Sequence, residues 1–260
     1  MGKILTVDIG NSNIVVGVWD GESLERTGRI QTRRDYLVKE LLDAFTENGV
    51  CGAECAYEGA ILSSVVPELN DVCLDALKEI TGKRPLLMGP LLDTGIDLSE
   101  YAPGSIGMDR IVDVTAAATM YGAPVLVCDL GTCTTITVAD LGDAHHKGRI
   151  IGGMICPGVQ LSLNAEAEHT SQLPKLRASE VKELLGKDTS SNMMSGAAAG
   201  CGLMLSELAK RLTYEMPDLK VVVTGGLGKL VIPWIKCDAK VHYEPDLLLR
   251  GLRDIFVANN

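Results

Sequence analysis

Chemistry in this sequence concentrates on aspartates that stand at strand ends and at a helix start. Asp8 closes an apolar run, Lys3-Ile-Leu-Thr-Val-Asp8, and is followed by the turn Ile9-Gly10-Asn11-Ser12-Asn13 and a second apolar run from Ile14 and Val15 onward. β-Branched runs bounded by turn residues predict a buried hairpin. A turn of glycine and small polar residues leaves backbone N–H groups free to face an anion such as a phosphate. Asp8 would face the same anion, and two negative groups tolerate each other only across a cation such as Mg²⁺. By itself the stretch is equally well an ordinary hairpin with an aspartate beside its turn.

The pattern occurs twice. Val125-Leu-Val-Cys-Asp129 runs into Leu130-Gly131-Thr132 and another β-branched run. Asp8 aligns with Asp129, Gly10 with Gly131 and Asn11 with Thr132, 121 residues apart in a chain of 260. The repeat predicts an α/β protein of two duplicated domains, 1–115 and 116–260, with a nucleotide in the cleft between two phosphate-facing hairpins. The closing amphipathic helix, 245–257, could pack back towards the first domain.

A third aspartate, Asp109, opens a helix predicted over 108–121, with Gly107 before it and Arg110 after it. The helix dipole favours negative charge there. Asp109 is therefore either a plain first-turn acid, with Arg110 paired to a surface carboxylate, or a group aimed at a substrate. Asp113, four residues on, shares its face, which is odd for a core-facing helix. Val221-Val-Val-Thr-Gly-Gly226 ends in a glycine turn, Gly225 and Gly226, suited to lying flat against a nucleoside.

Strand and helix must alternate to position these groups. A helix is predicted over 35–48, with Leu37, Leu41, Ala44 and Phe45 on one face and Asp35 as its cap. A strand over 59–67 has Ser63 and Ser64 at its exit, and a helix with Leu69, Val72, Cys73, Ala76, Leu77 and Ile80 follows. A short strand at 85–88 precedes a long loop, 89–105, of a length usually tied to function. Further on, a strand and glycine turn over 149–158 open a helix over 159–169. A polar helix start at 188–196 runs into a small-residue helix, 197–212.

Apolar residues make up 46% of the chain, enough for two cores, and the net charge of −10 argues against a nucleic-acid or anionic-membrane surface. No basic leader and no apolar run of about 18 residues is present, so a cytoplasmic protein is expected. The eight cysteines are expected as reduced thiols, with Cys51 and Cys55 too far apart for a CxxC pair. His145 and His146 are expected on solvated surface.

Taken in order, the motifs Asp8-Ile-Gly-Asn-Ser12, Ser63-Ser-Val-Val-Pro67, Gly107-Met-Asp-Arg110, Asp129-Leu-Gly-Thr132, Gly152-Gly-Met-Ile-Cys-Pro-Gly158, Ser195-Gly196, Thr224-Gly-Gly226 and Asp246-Leu-Leu-Leu-Arg-Gly-Leu-Arg253 resemble those of type III pantothenate kinases. These belong to the actin-like (ribonuclease H-like) ATPase, sugar-kinase and heat-shock-chaperone superfamily. The resemblance implies transfer of the γ-phosphoryl of ATP to pantothenate, the first step towards coenzyme A, with Mg²⁺ and a monovalent cation, K⁺ or NH₄⁺, in a homodimer. It implies ATP contacts from Asp8, Ile9, Gly10, Asn11, Ser12, Asn13, Ile14, Val15, Thr132, Gly225 and Gly226, with Asp8 near Mg²⁺ and Asp129 on the monovalent cation. It makes Asp109 the proton acceptor and Tyr101, Gly107, Met108, Asp109 and Arg110 pantothenate contacts, with Thr189 contributed at the dimer interface.

Three positions depart from the family pattern. Thr137 stands where an Asp is common, Met194 replaces a commonly polar residue, and the Tyr101-to-Asp109 spacing is one residue short. The readings set beside the kinase are a nucleotide-binding regulatory or accessory protein on the same fold, and a kinase of another small hydroxylated acceptor.

Overall fold

Lys3–Ile9 forms β1 because it alternates between two cores: Leu5, Val7 and Ile9 face one, while Ile4 and Thr6 face the other. The computed structural model describes residues 2–50 and 56–260, so the spacing argument on Cys51 and Cys55 falls outside the described residues. The chain divides into two compact units. The first comprises Met1–Ile96, Ala102–Ala116 and Leu247–Asn260; the second comprises Asp97–Tyr101 and Ala117–Asp246.

In the first unit β1 pairs antiparallel with β2 (Asn13–Asp20), which pairs antiparallel with β3 (Ser23–Gln31). On its other side β1 runs parallel to β4 (Tyr57–Ser64), and β4 to β5 (Leu86–Leu87), giving the order β3-β2-β1-β4-β5. Helices α1 (Val38–Glu47) and α2 (Asn70–Thr81) cover one face with Leu41, Phe45, Leu69, Cys73, Ala76 and Leu77. The opposite face takes Val112 of α3 (Met108–Tyr121) and Leu249, Leu252, Ile255 and Phe256 of α8 (Leu247–Ala258), packed around Ile4, Trp19 and Ile61.

A short strand, β6 (Ile96–Asp97), lies within the long 89–105 loop. The second unit is built from β7 (Val125–Leu130), β8 (Cys133–Leu141), β9 (Gly148–Pro157), β10 (Lys220–Thr224) and β11 (Lys240–Tyr243), in the order β11-β10-β7-β8-β9. β7 pairs antiparallel with β8 and parallel with β10, so this sheet repeats the order and sense of the first. One face is covered by α4 (Val159–His169), α5 (Thr189–Met194), α6 (Gly200–Glu215) and the short α7 (Gly228–Val231) through Val159, Leu163, Met193, Leu205, Ala209 and Val231. The small-residue helix begins later than its composition predicts, because Ser195–Ala199 forms a π-helical turn.

Four elements escape sequence reading. β3 buries only Gly28 and Ile30, its charged residues suiting an edge strand, and β6, β11 and α7 are too short for a periodic signal. The first helix starts at Val38 with Leu37 as its cap, not Asp35; Glu40 Oε2 accepts from the Leu37 N–H at 2.9 Å, while Asp35 faces Arg33 at 3.8 Å. The described cysteines are free thiols, and burial pushes the Cys73 thiol up to about 12. His145 is exposed, and His146 Nδ1 lies 2.9 Å from Asp143 Oδ1. Among the described residues no helix is long and apolar enough to cross a membrane.

Gly251 lets α8 approach α3: a Cβ there would run into the Val112 carbonyl. Gly251→Ala should therefore destabilise the first unit by about 1–3 kcal/mol, the usual scale of overpacking, read from equilibrium urea unfolding.

Candidate active site

The first hairpin is tighter than its sequence requires. The Gly10 N–H donates to Asn13 O at 3.0 Å, the Thr32 hydroxyl to Gly10 O at 2.7 Å, and the Thr32 N–H to Ser12 O at 3.1 Å. Thr32 therefore braces the turn from just past β3, a role no local signal announces. Asn11 and Ser12 are exposed, Gly10 and Asn13 half-buried, and Asp8 half-buried at the strand end with Oδ2 about a van der Waals contact from where a Gly10 Cβ would stand. Ile9 and Ile14 are fully buried in the core, so only their main chain can face a ligand. Val15 packs on the α8 side of the sheet.

The second hairpin repeats this with a turn one residue shorter: Asp8 lies opposite Val15, whereas Asp129 lies opposite Thr135. The Gly131 N–H donates to Cys133 O at 3.1 Å, and the Gly158 N–H to Thr132 O at 3.2 Å. Thr132 is exposed and Asp129 half-buried. The structure brings Gly225 against Asp129. Gly225 has φ +86°, and a Cβ on it would collide with Asp129 Oδ1 and with the Leu130 backbone. The space beside this carboxylate exists only because residue 225 has no side chain. Gly226 is exposed. Thr137 is buried within β8, opposite Val127 and Gly153.

On α3, Asp109 sits in the first turn, half-buried, with Oδ1 accepting from the Arg110 N–H at 2.9 Å. Its carboxylate folds back over Gly107, where any Cβ would collide with Oδ1. Arg110 and Asp113 are buried, and Met108 packs against the cluster of Ile4, Trp19 and Ile61. Asp8 projects to this same face by alternation from Ile4 and Thr6. Asp8 and Asp109 thus belong to one unit, on strand and helix packed together. Tyr101, half-buried, belongs to the second unit, as do Asp129, Thr132, Thr189, Gly225 and Gly226.

Thr189 is exposed at the first position of α5, whose start is fixed locally. The Asp188 carboxylate accepts from the Ser191 N–H at 2.9 Å, and this bond holds its pKa below the ordinary value. The extended stretch before it is tied down by side chains that sequence reading did not single out. Gln160 donates to Leu176 O at 2.9 Å and accepts from the Ala178 N–H at 2.8 Å, and the Ser195 hydroxyl donates to Leu184 O. Met194, only 8% exposed, accepts from the Ser179 N–H through its sulfur, so its departure from a polar residue is a core contact here.

Among the described residues no three His, Cys, Asp or Glu side chains form a metal cage. Single carboxylates at Asp8 and Asp129, each beside a glycine turn, fit a cation shared with substrate phosphates, the common arrangement for Mg²⁺.

Solved structures share this fold over nearly the whole chain. A ROK family glucokinase from Streptomyces griseus, in complex with glucose and AMPPNP, matches with TM-score 0.51 and 14% identity, covering 98% of this chain and 99% of that one. A conserved putative Baf family transcriptional activator from Campylobacter jejuni matches with TM-score 0.58 and 19% identity, covering 98% of both. The fold is that of the actin-like ATPases and sugar kinases. Within that class the chain belongs to the type III pantothenate kinase family, whose family model matches residues 4–211. Relatives of that name are 34% identical in Agathobacter rectalis (99% of this chain, 98% of that one) and 36% identical in Shouchella clausii (98% and 99%).

Gly225→Ala should cost about 1–2 kcal/mol from the left-handed backbone alone, and more from displacing Asp129. Denaturant unfolding reads the sum.

Proposed function

We propose that this chain phosphorylates pantothenate with ATP, giving 4'-phosphopantothenate and ADP in the first step of coenzyme A biosynthesis. The observation that carries the reading is Asp109, a first-turn carboxylate held clear by Gly107 and sharing the Asp8 face of the first sheet, in a chain whose family match spans most of its length.

A hydroxyl is a poor nucleophile, and Asp109 accepts its proton as the oxygen attacks the γ-phosphorus. The bond from that phosphorus to the β–γ bridging oxygen breaks, and ADP departs with the electron pair. Gly107, Met108 and Arg110 hold pantothenate; Arg110 offsets charge on carboxylate or phosphate through its two-pronged donor group. Tyr101 and Thr189 add substrate contacts.

Main-chain groups of 9–15, with the Asn11, Ser12 and Asn13 side chains, hold the ATP phosphates together with Thr132, while Gly225 and Gly226 face the nucleoside. Asp8 orients Mg²⁺, which supplies charge cancellation on the phosphates, and Asp129 holds K⁺ or NH₄⁺. A homodimer is supported by large apolar side chains exposed on β9 and before α5, Ile155 at 65% and Leu185 at 79% among them. The free thiols among the described residues support residence in the reducing cytoplasm.

The test is ADP release from Mg·ATP with and without pantothenate in potassium, ammonium or sodium buffer. Pantothenate-dependent release that rises with potassium or ammonium is expected, and Asp109→Asn should lower it by about 10²–10⁴-fold while nucleotide binding persists. Release indifferent to pantothenate would overturn the acceptor assignment.

A further inference from the structure

Where β1 and β4 end, the fold buries a hydroxyl that it leaves unsatisfied. The parallel register sets Ser63 beside Asp8, and the corresponding register in the second unit sets Thr224 beside Asp129. In-register neighbours on adjacent strands project to the same face about 5 Å apart. Each unit therefore carries the same pair, a carboxylate ending the central strand and a buried hydroxyl on the parallel strand next to it. Ser63 is fully buried, and its Oγ has no hydrogen-bond partner; Thr224 is 4% exposed.

Other hydroxyls nearby are accommodated. Thr6, two residues back on β1 and on the same face, has Oγ1 accepting from Trp19 Nε1 at 3.0 Å. Ser64 Oγ accepts from the Val66 N–H at 3.0 Å. A buried hydroxyl without a partner is destabilising, and alanine would fill position 63 without that cost.

We propose that Ser63 is a positioning residue for Asp8: with a divalent cation and ATP bound, its hydroxyl donates to the Asp8 carboxylate and leaves the other carboxylate oxygen turned to the cation. Carboxylates that hold metals are themselves commonly hydrogen-bonded, which fixes their orientation. The inference rests on the assignment of Asp8 to the Mg²⁺ site.

Thermal unfolding of the full chain with AMP-PNP, in EDTA and across a Mg²⁺ titration, tests it without turnover. Ser63→Ala should melt at or above the wild-type temperature without ligand and respond normally to the nucleotide in EDTA. Its half-saturating Mg²⁺ should rise about tenfold, the lower end of such losses. Ser63→Thr, which matches Thr224, should restore the wild-type value. Asp8→Asn runs in parallel and should abolish the Mg²⁺-dependent shift. A wild-type Mg²⁺ response in Ser63→Ala beside a lost one in Asp8→Asn would overturn the role of Ser63 alone. A normal response in Asp8→Asn would overturn the assignment of Asp8, and this inference with it. Should the alanine variant fail to fold, Ser63→Cys against Ser63→Thr decides, and equal Mg²⁺ responses overturn the proposal.

Discussion

The central strand of each sheet is buried along nearly its whole length, so a charge can stand only at its end. β1 and β7 bury every residue between their first positions and a single aspartate, Asp8 or Asp129, which is half-buried beside a glycine turn. Burying either carboxylate one residue earlier would place an ionised group in a core, at a cost no neighbour on the strand could offset. The same burial fixes the register, because a one-residue slip would turn every core side chain to the wrong face. The hairpins and the glycine turns stand at those two strand ends.

Clearance is the second theme. Gly10, Gly107, Gly131 and Gly225 each stand next to a proposed site carboxylate, and at Gly107 and Gly225 a side chain would strike the carboxylate directly. In Gly225 the backbone also lies in the left-handed region, so space and conformation demand the same residue. Helix starts contribute in a different way. Asp109 is aimed by its own first turn, and Thr189 by the Asp188 cap, whereas the long stretch before α5 depends on distant side chains such as Gln160.

Much of this was legible in the sequence because it is local. The strand-Asp-turn repeat, the α3 start and the glycine turn after β10 are each written within about a dozen consecutive residues. The edge strand β3 was not, since its alternation is masked by Glu25, Arg26 and Arg29, charges an edge tolerates. Residue type alone points to Asp35 as the cap of α1, a good capping type, yet Glu40 reaches back to the Leu37 N–H instead. The shorter second turn was also hidden: aligning Gly10 with Gly131 matches the aspartates, but the opposing strands differ by one residue.

The sequence by itself determined the duplicated α/β plan and the family, because hydrophobic period, turn chemistry and motif order are properties of neighbouring residues. Only the tertiary structure decided which groups meet: Thr32 on Gly10, Gly225 against Asp129, Ser63 beside Asp8 and Thr224 beside Asp129. Thr32 reaches Gly10 from just past the antiparallel β2–β3 ladder, 22 residues on, whereas the other three meetings follow from parallel pairing between strands about fifty to a hundred residues apart, and parallel strands need long crossovers that no local pattern registers.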